Sequence, residues 1–160
     1  MNEKMGKKQL ILHTFSLLAG FMVWTLLAPL FPEIVKDIPE AAEQQALIVA
    51  LPVILGSVLR IPFGIFANKT GARTVFLFSF IFLLIPVFYL SIASTTMDLM
   101  IAAVFLGIGG ATFSIGVTSL PKYYPKEKHG FVNGVYGMGN IGTAVTSFGA
   151  PALALAFGGW

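Results

Sequence analysis

The sequence contains no cysteine and unusually little charge. Cysteine is absent from all 160 residues, which excludes disulfide bonds, zinc sites built on thiolates and cysteine nucleophiles. Only 11% of the residues are charged, whereas 56% are hydrophobic and the mean hydropathy is +0.85. A soluble domain of this length needs far more polar surface than such a composition offers. The composition therefore predicts an integral membrane protein.

Motifs typical of enzymes and of nucleic-acid-binding proteins are missing as well. The sequence has no glycine-rich phosphate loop, no paired carboxylates and no zinc-type His/Glu motif, and its two histidines, His13 and His129, are isolated. The formal net charge of +3 would suit a nucleic-acid partner, but the basic residues stand in short clusters between apolar runs. We therefore expect no enzymatic activity, no cofactor or metal, and no binding to nucleic acid.

Five apolar runs are each long enough to cross a bilayer as a helix, at about 20 residues per crossing. They cover residues 10–30, 46–67, 74–93, 99–120 and 130–157. A backbone that is exposed to lipid must satisfy its own hydrogen bonds, so each run is predicted to be helical. The sequence thus predicts an all-α integral membrane protein, a multi-span helical bundle in which residues 1–160 form one transmembrane domain.

Basic residues cluster in the loops on one side of these runs, and the positive-inside rule assigns that side to the cytoplasm. The basic residues on this side are Lys4, Lys7, Lys8, Lys69, Arg73, Lys122, Lys126 and Lys128. The loops on the opposite side contain Lys36 as their single basic residue. The N-terminus is therefore predicted to be cytoplasmic, and five crossings place the C-terminus outside.

Arg60 is the only charged residue between positions 46 and 67, and it lies about 10 Å from the inner end of its run. A charge at such depth costs roughly 2.5–3.5 kcal/mol on insertion scales. One interpretation is that the long side chain snorkels to the cytoplasmic headgroups. The other is anion binding, because the predicted spans contain no carboxylate to pair with Arg60 and a guanidinium fork suits a planar oxyanion. Gly56, Ser57 and Gly64 share its helix face, which favours a cavity or a helix contact over lipid.

The fifth run is rich in glycine and carries a stripe of polar residues. The stripe consists of Asn133, Tyr136, Asn140, Thr143 and Ser147, at steps of three and four that correspond to one helix face. We predict that this face lines a polar pathway with Asn140 near the midplane. Alternatively, Asn140 only bonds to a neighbouring helix. The glycines of the run predict close approach between helices.

Two aromatic residues lie at a depth that suits a central site. Phe113 in the fourth run matches the depth of Arg60, and Phe21 in the first run lies close to the midplane. Each of them has two interpretations of equal weight: packing or lipid contact, and a place in a binding site.

Three stretches together resemble a known family of transporters. GIFANKTGAR, at residues 64–73, resembles the loop motif between the second and third spans of the major facilitator superfamily, with Asn68 where an acid usually stands. FLGIGGATF followed by PKYYPKEKHG resembles the fourth span and following loop of the nitrate/nitrite porter family within that superfamily. GMGNIG, at residues 137–142, resembles that family's Gly-x-Gly-Asn-x-Gly signature. The residues matching the loop motif are Gly64, Asn68, Lys69, Gly71 and Arg73.

The resemblance implies a fold of twelve helices in two halves that transports by alternating access. It implies that Arg60 binds nitrate or nitrite, that Asn140 lies close to the anion, and that Phe113 and, less closely, Phe21 form aromatic walls. Further residues of the fifth span are expected to line the pathway or to pack helices. These residues are Tyr136, Gly137, Gly139, Gly142 and Thr143.

The resemblance also implies that the chain is a truncated N-terminal portion of such a transporter, inactive alone. Its expected partners are nitrate or nitrite, the lipid bilayer of the cell membrane, and a missing or separately encoded C-terminal half that carries a second binding arginine. Two alternatives remain open. One is the same fold with another small anion or an organic solute as its substrate, and the other is a membrane fragment that does not transport.

The predicted orientation can be tested by introducing single cysteines into this cysteine-free chain. We expect an impermeant thiol reagent, added outside intact cells, to label Glu40→Cys but not Lys126→Cys, because the loop asymmetry places these positions on opposite sides. Labelling of both cysteines from outside would contradict the arrangement of five spans.

Overall fold

Helical hydrogen bonding accounts for almost the whole backbone of residues 3–160, the part of the chain that this computed structural model describes. The α-helices are α1 (Glu3–Trp24), α2 (Leu27–Asp37), α3 (Gln45–Thr70), α4 (Ala72–Leu90), α5 (Thr96–Leu106), α6 (Ile108–Ser119), α7 (His129–Gly137) and α8 (Ile141–Phe157). Short 3₁₀ turns cover Pro39–Gln44, Leu120–Tyr123, Lys126–Lys128 and Met138–Asn140. The described residues contain no β-strand, and the prediction of an all-α protein is confirmed.

Joined end to end, these helices form five segments that are long and apolar enough to cross a membrane. We call them spans 1 to 5; they cover Lys4–Asp37, Pro39–Thr70, Ala72–Leu90, Thr96–Tyr123 and Lys126–Phe157. Large apolar side chains point away from the bundle on span 3, where Phe78, Leu84 and Phe88 are each about two-thirds exposed. Such a surface is compatible with lipid and not with water. The chain is therefore a multi-pass membrane protein.

Three spans are interrupted, which the apolar runs do not predict. In span 1 the helical hydrogen bonding is interrupted at Thr25. Pro29, four residues further on, has no N–H to donate to the Thr25 carbonyl. Span 4 tightens at Gly107, where the backbone bonds reach back three residues instead of four. Span 5 changes to a 3₁₀ turn at Met138–Asn140. The polar stripe predicted for span 5 is therefore not one continuous helix face.

The spans pack around span 4. Its second helix, α6, packs against α3 and α1, and α4 covers both α5 and α6. Span 1 contacts span 4 and also packs against α8 of span 5. One cluster of buried apolar residues joins α2, α3, α4, α5 and α8, and a second cluster around Leu17 and Tyr136 joins α1, α6 and α7. These contacts place the middle of span 4 at the centre of the described bundle.

Glycines allow three spans to meet at this centre. A Cβ atom at Gly107 would lie 2.9 Å from the Pro52 carbonyl oxygen of span 2, and one at Gly110 would lie 2.6 Å from the Trp24 ring of span 1. Both distances are too short for a real contact, so neither backbone could approach so closely if alanine stood at these positions. Close packing of glycine also joins spans 1 and 5, at Gly139 and Gly142. The face of Gly137, by contrast, meets no heavy atom within 4 Å.

Substitution of glycine by alanine distinguishes the packed positions from the open ones. We expect Gly110→Ala to lower the free energy of unfolding by about 1–3 kcal/mol, because the added methyl group must displace the rigid Trp24 ring. Gly134→Ala is the matched control: it also lies in a helix, and a methyl group added there would meet no heavy atom within 4 Å, while alanine favours the helix by up to about 1 kcal/mol. Thermal unfolding in detergent micelles measures both effects. Equal stability of Gly110→Ala and the unaltered chain would contradict this account of the packing.

Candidate functional site

Arg60 lies in α3 at the edge of the interface between spans 2 and 4. Gly56 and Gly64, one turn to either side, are buried against α6. The third small residue of the predicted face, Ser57, is exposed and donates its hydroxyl hydrogen to the Val53 carbonyl at 2.8 Å. The small residues therefore bring α3 close to α6, and the half-buried Arg60 side chain emerges beside this contact.

The guanidinium group of Arg60 is held by a backbone carbonyl and two aromatic rings. Its Nε–H donates to the Gly110 carbonyl at 3.3 Å. Its central carbon lies 5.1 Å from the centre of the Phe113 ring and 5.9 Å from the centre of the Trp24 ring. Both distances are within the range of cation–π attraction. The guanidinium group thus contacts both span 4 and span 1.

The Arg60 side chain is held by a neighbouring helix. Its hydrogen-bond partner, Gly110, and the Phe113 ring both belong to α6. A snorkelling arginine would instead carry its charged end to the headgroups.

The terminal nitrogens of Arg60 are unpaired within residues 3–160. The hydrogen bond to Gly110 uses only Nε, and no carboxylate of the described chain lies within ion-pair distance. A charged group in a region of low dielectric is costly unless it is paired. The two terminal NH₂ groups can therefore offer their parallel N–H bonds to an anion, which is the fork geometry that suits a planar oxyanion.

Aromatic residues of span 1 complete this cluster. Phe21 is 2% exposed, and its ring lies 4.8 Å from the Trp24 ring and 6.3 Å from the Phe113 ring, centre to centre. Phe21 therefore packs against the two rings that contact Arg60. Sequence reasoning missed Trp24, although its spacing of three residues from Phe21 places both on one helix face.

Tyr136 joins span 5 to the same cluster. Its side chain is fully buried, its ring centre lies 5.9 Å from that of Phe113, and its hydroxyl donates to the carbonyls of Thr112 and Phe113 at 3.1 and 3.2 Å. Gly116 leaves the space that the ring occupies. Tyr136 thus acts in helix packing and fixes the backbone that carries Phe113.

Asn140 and Thr143 lie on a different part of span 5. Asn140 is exposed, and its amide donates to the carbonyl of Gly137 at 2.7 Å. Thr143 donates in turn to the carbonyl of Asn140 at 2.8 Å. These bonds stay within the span, unlike the inter-helix bond that was one interpretation of Asn140. The structure thus separates Tyr136, which is packed, from Asn140, which is open to the surroundings.

Comparison with known proteins identifies the fold that carries this cluster. The sequence profile of the Major Facilitator Superfamily matches residues 14–160. The chain belongs to this superfamily.

Curated relatives of this superfamily member are transporters by name. The chain is 58% identical over 158 residues to the "Probable nitrate transporter NarT" of Staphylococcus carnosus (strain TM300). This match covers 99% of this chain and 41% of that protein. It is 61% identical over 150 residues to the "Nitrite extrusion protein" of Bacillus subtilis (strain 168). This match covers 94% of this chain and 38% of that protein. The predicted resemblance is confirmed. The chain spans about two-fifths of the length of these relatives and matches their N-terminal part.

The superfamily loop motif forms the turn between spans 2 and 3, apart from the Arg60 cluster. Gly71 separates α3 from α4 with a φ of +91°, a conformation that favours glycine. Lys69 and Arg73 are exposed, and Lys122 donates to the Asn68 carbonyl at 3.5 Å. Gly64 belongs instead to the packing of α3 on α6. The motif therefore sets the geometry of this turn.

Proposed function

We propose that the chain supplies one half of the anion-binding site of a nitrate/nitrite transporter. The observation that carries this proposal is the Arg60 guanidinium, which has unpaired terminal nitrogens and lies between the Phe113 and Trp24 rings. The names of the relatives support the choice of anion. Arg60 binds the anion in this proposal, and Phe113 bounds the space around it.

The chemistry of the cluster suits a small planar oxyanion. Two parallel N–H bonds match two oxygens of nitrate or nitrite. Because no carboxylate neutralises Arg60 within the described chain, a bound anion would provide the pairing that the half-buried cation lacks. The aromatic rings also exclude water from one side of the cation, which strengthens its attraction for the anion.

The other wall of the site belongs to a C-terminal half in this proposal. Asn140 is exposed beside the 3₁₀ turn of span 5, and we place it at the surface where that half meets the anion. Alternating access requires two halves that move about a central site. We further propose that the N-terminus is cytoplasmic, which follows from the distribution of lysine and arginine.

Replacement of Arg60 tests whether fork geometry matters. We expect Arg60→Lys, in the chain assembled with the C-terminal portion of the Bacillus subtilis relative, to bind nitrate at least about tenfold more weakly. Lysine provides a point charge but not two parallel bonds, each of which contributes roughly 1.5–3 kcal/mol when charged. Arg60→Ala should insert at least as well, because it removes an insertion cost, and should also fail to bind.

Arg73→Lys is the matched control, since Arg73 is exposed and outside the cluster. Its nitrate affinity, measured by titration calorimetry, should stay unchanged, and membrane abundance should be equal in all variants. Near-normal affinity of Arg60→Lys together with poor insertion of Arg60→Ala would favour a structural role for Arg60.

Transport by the chain alone tests the need for a second half. We expect proteoliposomes that contain only this chain to accumulate negligible nitrate or nitrite, and the assembled form to transport both. Competition by other small anions and by organic solutes, in the assembled form, measures the substrate class. Robust accumulation by the isolated chain would contradict the proposal, and preferred transport of another solute would correct the substrate.

A further inference from the structure

Trp24 occupies a slot made by glycine backbones at the meeting of spans 1, 2 and 4. A Cβ atom at Gly110 would lie 2.6 Å from its Cε2 atom, and one at Gly56 would lie 3.1 Å from its Nε1 atom. A Cβ atom at Gly109 would lie 3.1 Å from the Trp24 Cβ. The indole therefore has glycine against both its ring and its stem. These close contacts restrict the movement of the ring on the sides that face the glycines.

A hydrogen bond fixes the indole to the helix that carries Arg60. The Nε1–H of Trp24 donates to the carbonyl of Pro52 at 3.0 Å. Pro52 is buried in α3, two turns before Arg60. The bond therefore fixes the orientation of the ring relative to α3, the helix that also carries Arg60. A ring without a hydrogen-bond donor would be free to tilt.

The slot and the bond together restrict the Arg60 guanidinium. Gly110 contributes twice, because its carbonyl accepts from Arg60 Nε and its Cα faces the indole. The Trp24 and Phe113 rings lie within 6 Å of the guanidinium carbon. With Nε tied and two rings nearby, the terminal N–H bonds have a defined direction.

A defined direction matters for some anions and not for others. A halide is a sphere and is attracted to a positive charge in any orientation. A planar oxyanion accepts two parallel hydrogen bonds only when the fork is correctly aimed. We propose that Trp24 is a positioning residue which gives the Arg60 site its preference for planar oxyanions over spherical halides. This inference rests on the proposed function of Arg60 as an anion ligand.

The chain offers a matched pair of substitutions, because it has two tryptophans and each donates one hydrogen bond through its indole. Trp160 donates to Asp37 Oδ2 at 2.8 Å, on the far side of the described bundle from Lys69 and Arg73. Trp24→Phe keeps an aromatic ring beside Arg60 and loses the bond to Pro52. Trp160→Phe loses an equivalent bond away from the cluster.

The measurement is chloride and nitrate affinity, in lipid nanodiscs, of the chain assembled with the C-terminal portion of the Bacillus subtilis relative. Broadening of the ³⁵Cl resonance reports chloride binding, competition by nitrate reports nitrate binding, and subtraction of the Arg60→Ala signal isolates the contribution of Arg60. We expect the unaltered chain and Trp160→Phe to prefer nitrate equally. Trp24→Phe should bind nitrate about five- to twentyfold more weakly and chloride within twofold of normal, so that the preference falls.

The possible results separate this inference from the proposed function. If the assembled form of the unaltered chain shows no nitrate binding that depends on Arg60, the proposed function fails and the inference fails with it. If the unaltered chain binds nitrate and Trp24→Phe keeps the preference, only the inference is overturned. An equal loss of nitrate and chloride affinity in Trp24→Phe would also overturn it, because that loss would show structural damage rather than altered aim. Thermal unfolding of the same samples verifies that the variants are folded.

Discussion

The close approach of spans 1, 2 and 4 is the constraint on which the rest of the structure depends. Backbone atoms and an indole ring occupy the space where side chains at Gly107 and Gly110 would otherwise lie. Helices in a membrane gain little from the hydrophobic effect when they associate, so van der Waals contact and hydrogen bonds must supply the attraction. Glycine allows both here, because it brings carbonyl oxygens within reach of donors on other helices. The bonds of Trp24 to Pro52 and of Arg60 to Gly110 exist because the backbones approach this closely.

A second consequence of this packing is that a charge is retained without a compensating carboxylate. Arg60 lies beside spans 1 and 4, and among the described residues a carbonyl and two aromatic rings contact its side chain. Each of these partners is partly negative and none is charged, so the net positive charge remains. In the proposed function, the cluster holds the side chain in place and leaves it attractive to an anion. An aspartate that neutralised Arg60 would also hold the side chain, but it would remove the attraction for an anion.

The fold class and the presence of five apolar spans could be predicted because hydropathy is a property of long segments and does not depend on atomic detail. Arg60 could be selected as a candidate because it is the single charge in an apolar run, and its role at an anion stays a prediction. The interruptions of spans 1, 4 and 5 were not predictable, because proline and glycine are common in membrane helices and most leave them intact.

The detailed composition of the site depended on tertiary contacts. Trp24 stands in a stretch rich in apolar residues and carries no sign of its bond to Pro52. Tyr136 and Asn140 are equally polar in the sequence, yet the 3₁₀ turn at Met138–Asn140 separates their directions and only Tyr136 is buried. The roles of Phe21, Phe113 and Asn140 at an anion remain predictions from the resemblance.

The environment of Trp24 has a spectroscopic consequence. Indole emission moves to shorter wavelength when the ring is shielded from water, because few mobile dipoles can relax around its excited state. Both tryptophans are half-buried, but Trp24 lies against glycine backbone and the Phe21 ring, whereas Trp160 bonds to a carboxylate. The two tryptophans therefore differ in the polarity that surrounds them. Since one of the two adjoins the Arg60 guanidinium, the intrinsic fluorescence of this chain contains a built-in reporter of the electric field at that cation.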